Sequence, residues 1–137
     1  MTDKYASYVS LAGRILLALM FIPAGFGKLT NIGGTAGYIA SGGLPFPSVL
    51  AVLAGALELF GGLALVIGFK VRWVGLAMAL FTLVASVAFH PFWAVPEAQH
   101  MVTQLLFMKN ISVVGGMLLI SALGAGAFSV DARSRRH

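Results

Sequence analysis

Four long apolar runs dominate this chain, and their length decides what it can fold into. They cover roughly residues 8–28, 48–69, 71–90 and 102–123. A helix needs about 20 apolar residues to cross about 30 Å of hydrocarbon, at about 1.5 Å per residue. Each run is near that length. The runs are continuous rather than alternating, which excludes barrel strands of about ten residues. Composition agrees: of 137 residues, 59% are hydrophobic and 9% charged. A soluble domain is typically about 45–50% apolar and about 25% charged. A soluble enzyme domain and a disordered chain are therefore both excluded. The expected architecture is all-α: a transmembrane four-helix bundle, forming a single domain over residues 1–137.

The chain has no cysteine. That removes disulfides, thiolate metal sites and thiol chemistry from consideration. No metal site is expected either, because His90 and His100 do not sit on facing helices. The net charge of +5 does not point to nucleic acid. The basic residues are few and sit at the ends of the apolar runs, where membrane topology selects them.

Those basic residues set the expected direction. Lys4 precedes the first run, Lys70 and Arg72 fill the turn between the second and third, and Arg133, Arg135 and Arg136 close the chain. The opposite loops hold Lys28, Glu97 and His100. The positive-inside rule then places both termini in the cytoplasm of an inner (plasma) membrane. Trp73 and Trp93 fall near opposite interfaces, as amphipathic rings should. Arg14 interrupts the first run, and Lys28 follows it without a clear small-x-small cleavage site, which argues against a cleaved signal peptide. The short turn at residues 68–72 makes the second and third spans antiparallel neighbours. The Gly-rich stretch 30–47, with Tyr38 and Ile39 inside it, has room for a short interfacial helix. Gly61-Gly62 and Gly115-Gly116 are an internal echo, read as close-packing positions.

Ionisable groups in lipid cost roughly 2.5–3.5 kcal/mol on insertion scales. Arg14, Lys28, Glu58, His90 and Lys109 are therefore the informative positions. On the first span Arg14, Ala18, Phe21, Gly25 and Lys28 share one helix face. On the second, Ala51, Gly55, Glu58 and Gly62 do. Arg14 and Glu58 differ in reckoned depth by roughly 5–8 Å at 1.5 Å per residue, within an arginine's reach. A buried Arg14–Glu58 pair is expected, either as a packing device or with Glu58 as a proton carrier. A second group, Lys28, His90, Lys109 and Asn110, gathers at the outer side. It is rich in hydrogen-bond donors and suits a partly apolar ligand with acceptor oxygens, such as a quinone head group, or a small oxyanion. The plainer readings stay open: Lys28 as a snorkelling residue, His90 as a helix cap, His100 as a solvated loop residue, the aromatics as packing.

An Arg early in the first span is followed by Gly25-Phe26-Gly27-Lys28-Leu29. Gly34-Thr35 with Tyr38, Gly43-Leu44-Pro45 and Glu58 come next. Leu65-Val66-Ile67-Gly68, the basic turn, and His90-Pro91-Phe92-Trp93 follow. Phe107-Met108-Lys109-Asn110, Gly115-Gly116 and Ser129-Val130-Asp131 close the pattern. The order of these motifs resembles the DoxX family of small membrane proteins. The resemblance implies a four-helix inner-membrane protein. It implies kinship with small subunits of a thiosulfate:quinone oxidoreductase, and with members of oxidative-stress complexes holding a superoxide dismutase and a sulfurtransferase. More distant four-helix relatives work through cysteines, and that chemistry does not transfer. The family pattern falls on Arg14, Lys28, Glu58, His90, Lys109 and Asn110, the residues that the cost of charge in lipid also selects.

Three functions follow as expectations. The first is a quinone-linked redox subunit with a soluble redox partner. The second is a non-enzymatic scaffold for such a partner, using residues 30–47 and the tail. The third is a proton-coupled transporter of a small oxyanion, which needs a homo-oligomer to supply alternating access.

Overall fold

The computed structural model describes residues 3–135; Arg136 of the basic tail lies outside them. Among the described residues all regular structure is helical. The four long helices are α1 (Asp3–Thr30), α3 (Pro47–Ile67), α4 (Val71–Phe89) and α5 (Glu97–Leu123). Each is long and apolar enough to cross a membrane. They run up, down, up and down. Two short helices join them: α2 (Ile32–Ser41) between α1 and α3, and α6 (Val130–Ser134) after α5. A single 3-10 turn (Phe92–Ala94) leads into α5. The end holding the start of α1, the α3–α4 turn and α6 is here the terminal end; the other is the distal end.

The helices outrun the apolar runs. α1 starts at Asp3 and α5 at Glu97, each five residues before its apolar run. Both starts place a carboxylate at the positive end of a helix dipole. Pro96 occupies the cap position of α5, where its missing N–H is no loss. α2 fills the Gly-rich stretch, with Asn31 accepting from the Gly34 N–H to cap it.

Packing is in pairs, α1 along α3 and α4 along α5. Lipid tails are as apolar as leucine, so small residues and close backbones hold such pairs together. Gly25 shows this most directly: a Cβ there would lie 2.3 Å from the Leu59 nitrogen. The α1 residues buried are Ser7, Arg14, Ala18, Phe21 and Gly25; those of α3 include Ala51, Gly55, Glu58 and Gly62. These are the two faces read from helical spacing. Gly61 and Gly62 admit Met78 and Ile22. Of the second glycine pair only Gly116 does so, against Leu17, while Gly115 is open. Leu65, Val71, Met78 and Met117 form the core between the pairs. Leu16, Leu19, Leu80, Leu105 and Leu119 stand exposed on the outside, the surface that a bilayer covers.

Two arginines close helix ends. Arg14 is fully buried and donates to the carbonyls of Leu65 and Val66, each at 2.8 Å, and to that of Phe128. It thereby caps α3 and ties down the segment before α6. Arg72 does the same for α5 through the carbonyls of Ser121, Ala122 and Leu123. Both put a cation at the negative end of a helix dipole. Asp131 of α6 completes the latch by accepting from the Lys70 and Val71 N–H groups at 2.7 and 3.0 Å.

The expected Arg14–Glu58 pair is not formed. Leu65, the level at which Arg14 bonds, lies seven residues further along α3 than Glu58, about 10 Å at 1.5 Å per residue. Counting from the ends of the apolar runs brought the two residues nearer in depth than they are; Arg14 sits level with the last turn of α3. Carbonyls orphaned by the end of α3 then took all the donors that point their way.

Candidate functional site

The carboxylate of Glu58 is paired instead with Lys28, at 2.7 Å between Nζ and Oε2. Glu58 sits about halfway along α3, and its side chain is only 8% exposed. Lys28 is near the distal end of α1 and 30% exposed. Backbone contact delivers this pair. A Cβ on Gly55 would fall 3.1 Å from the Lys28 Cβ, so the two helices touch one turn from the carboxylate. Lysine's four-carbon stem then spans that turn. This is the only ion pair among the described residues.

The pair forms part of the wall of a cavity of about 240 Å³ in the distal half of the bundle. Every long helix contributes. α1 supplies Met20, Phe21, Ala24 and Lys28; α3 supplies Ala54 and Glu58; α4 supplies Phe81, Thr82, Ala85 and Phe89; α5 supplies Asn110. His90, at the cap of α4, lines it as well. α2 closes the distal side with Thr35, Tyr38 and Ile39. Tyr38 is fixed there by stacking on Phe89, ring centres 4.9 Å apart. Most of the wall is apolar, and the polar groups converge from five directions. That is the usual make-up of a small-molecule site.

Three of the four residues expected to bind a ligand, Lys28, His90 and Asn110, line this one space. Lys109 does not: it is exposed and lies outside the lining. Adjacent helical residues point about 100° apart, so α5 cannot turn both Lys109 and Asn110 inward.

Thr82 was missed by sequence reasoning. Its hydroxyl is buried and finds no hydrogen-bond partner in the protein, an uncommon state for a buried polar atom. A threonine in an apolar span carries no charge to mark it, so spacing alone could have found Thr82: Ser86 lies one turn on, on the same buried face. His100 stays exposed and stands against Phe92, ring centres 5.6 Å apart, in an aromatic group with Trp93 and Phe107. Among the described residues no three His, Cys, Asp or Glu side chains come together.

A larger groove of about 540 Å³ runs between α1 and α5 at the terminal end. Its charged group is Arg14, which is already committed to three carbonyls. The distal cavity, whose wall carries Lys28, Glu58, His90 and Asn110, is therefore the candidate site.

Comparison with known proteins gives the same outline. Residues 9–91 match the DoxX family, a segment that holds Arg14, Lys28, Glu58, Thr82 and His90. The chain is 42% identical to the inner membrane protein YqjF of Escherichia coli over 88% of each chain. It is 34% identical to the inner membrane protein YphA of that organism, over 90% of this chain and 88% of the relative. It is 27% identical to the ER-derived vesicles protein ERV29 of Saccharomyces cerevisiae; 97% of this chain covers 36% of that longer protein. No solved structure matches the chain. On the family match and the two bacterial relatives, together with four apolar spanning helices, the chain belongs to the DoxX family of integral membrane proteins.

Proposed function

We propose that this chain is a redox-linked membrane subunit that binds a quinone head group in the distal cavity and exchanges protons with it through Glu58. The observation that supports this reading best is the Lys28–Glu58 pair in the wall of a largely apolar cavity. A quinone ring matches the apolar wall, and its carbonyl oxygens accept from Lys28, Asn110 and a protonated ring nitrogen of His90. Reduction to the quinol takes two electrons and two protons. The electrons come from a soluble redox partner and the two protons from water, taken up and handed on one at a time by the Glu58 carboxylate that Lys28 holds.

The basic residues of the terminal end face the cytoplasm in this reading, so the cavity lies in the outer half of the inner membrane. Titrating the protein in lipid nanodiscs with a benzoquinone tests the proposal. Binding by the wild type, weakened at least tenfold in Glu58→Gln and in Asn110→Leu, is the expected result. A folded wild type that binds no quinone overturns it.

A further inference from the structure

The cavity has an apolar neighbour. α3 and α4 are joined at the terminal end, where Gly61 admits Met78. Toward the distal end they part, and a cleft of about 210 Å³ opens between them. Leu50, Leu53 and Leu57 form one side and Val84 and Ala88 the other. Its lining contains no polar side chain. Leu53 and Val84 are exposed on the outer surface, so the cleft opens sideways, where a bilayer lies against the protein.

Cleft and cavity are back to back. Ile39, Phe81 and Phe89 are among the residues that line both, so a single layer of side chains separates them. On the cavity side of that layer stands Thr82, next to Phe81, with its buried hydroxyl unpartnered by the protein. One face is purely apolar and open to lipid; the other carries an ion pair, an amide, an imidazole and an unpaired hydroxyl.

Burial alone gives such a cleft no preference for a ligand's tail over a lipid's acyl chain, since both are hydrocarbon. What it supplies is a route. A molecule with a polar head and an apolar tail can place its head in the cavity while its tail never leaves hydrocarbon. α2, held by the Tyr38–Phe89 stack, lies over the distal side.

We propose that cavity and cleft are two chambers of one site, and that its ligand is a tailed amphiphile entering sideways between α3 and α4. The head lies among Lys28, Glu58, Asn110 and Thr82, and the tail leaves past Phe81 and Ala88. This rests on the reading that the cavity binds a head group.

Two probes separate the two claims: a dimethoxy-methyl-benzoquinone, and the same head carrying a decyl chain. Both are titrated into wild-type and Ala88→Phe protein in nanodiscs. Ala88→Phe fills the cleft without touching the cavity. The expected result is at least tenfold weaker binding of the decyl probe and an unchanged tail-less probe, which also certifies the variant's fold. Equal binding of the decyl probe by both proteins overturns the cleft assignment and leaves the cavity reading standing. Failure of both probes on wild type overturns the cavity reading itself. Should Ala88→Phe not fold, a decyl probe with a photoreactive chain end decides the matter on wild type. Labelled peptides from the distal halves of α3 and α4 support the proposal; labels confined to α1 and α5 overturn it.

Discussion

Glu58 and Lys28 share one ion pair but not one environment, and the difference is measurable. Glu58 is nearly buried and Lys28 about a third exposed. If the carboxylate is neutralised, the lysine can carry its ammonium to the interface along its own stem. If the lysine is truncated, the carboxylate stays in the cavity without its cation. Lys28→Met should therefore cost about 1–3 kcal/mol more in unfolding than Glu58→Gln, the penalty of an unsatisfied buried group. Denaturant unfolding in detergent micelles reads the difference. Arg14 is the other informative charge. Its planar fork serves three carbonyls, and an ammonium cannot hold that geometry. Arg14→Lys should lose about 1.5–3 kcal/mol by the same measurement, with quinone binding intact in what remains folded.

At the scale of helices, the glycines of α1 are not equivalent. Gly25 meets the backbone of Leu59, whereas Gly27 has nothing near its absent Cβ. Gly25→Ala should force α1 off α3, separate Lys28 from Glu58 and weaken binding. Gly27→Ala, two residues away, should leave stability and binding as they are. Thermal unfolding of the two variants side by side checks this. The helices themselves were legible in the sequence, because hydrocarbon thickness fixes the length of an apolar run. So were the buried faces of α1 and α3, because charge and small residues repeated at helical spacing. Helix ends were not. Hydropathy stops where lipid stops, but backbone hydrogen bonding continues through Asp3 and Glu97 into the polar zone. The latch made by Asp131 on the start of α4 was hidden for a related reason: it is a contact with backbone N–H groups, which every residue offers and no sequence pattern marks.

For the whole molecule, the sequence identified most of the cavity but not its partition. Lys28, Glu58, His90 and Asn110 were visible because polar groups in an apolar span are costly and few. Which of Lys109 and Asn110 faces inward depends on the rotation of α5 about its axis, and hydropathy does not encode that. Thr82 was marked only by its spacing to Ser86, and the cleft beside Phe81 was invisible because it consists of ordinary membrane residues arranged by how far α3 and α4 diverge. The orientation proposed from Lys4, Lys70, Arg72, Arg133 and Arg135 is open to direct test, helped by the absence of native cysteine. Single cysteines at Gln99 and Ser134 should react differently with an impermeant maleimide. Gln99→Cys should label in intact spheroplasts and Ser134→Cys only after lysis; the reverse pattern would invert the topology. The proposal that the distal cavity holds a quinone head group through the Lys28–Glu58 wall is decided by mass spectrometry of small molecules extracted from protein purified in mild detergent. A quinone should appear in near-stoichiometric amount from wild type and be lost from Glu58→Gln and Asn110→Leu. Wild-type protein that is folded and carries no quinone, or variants that retain it in full, would contradict it.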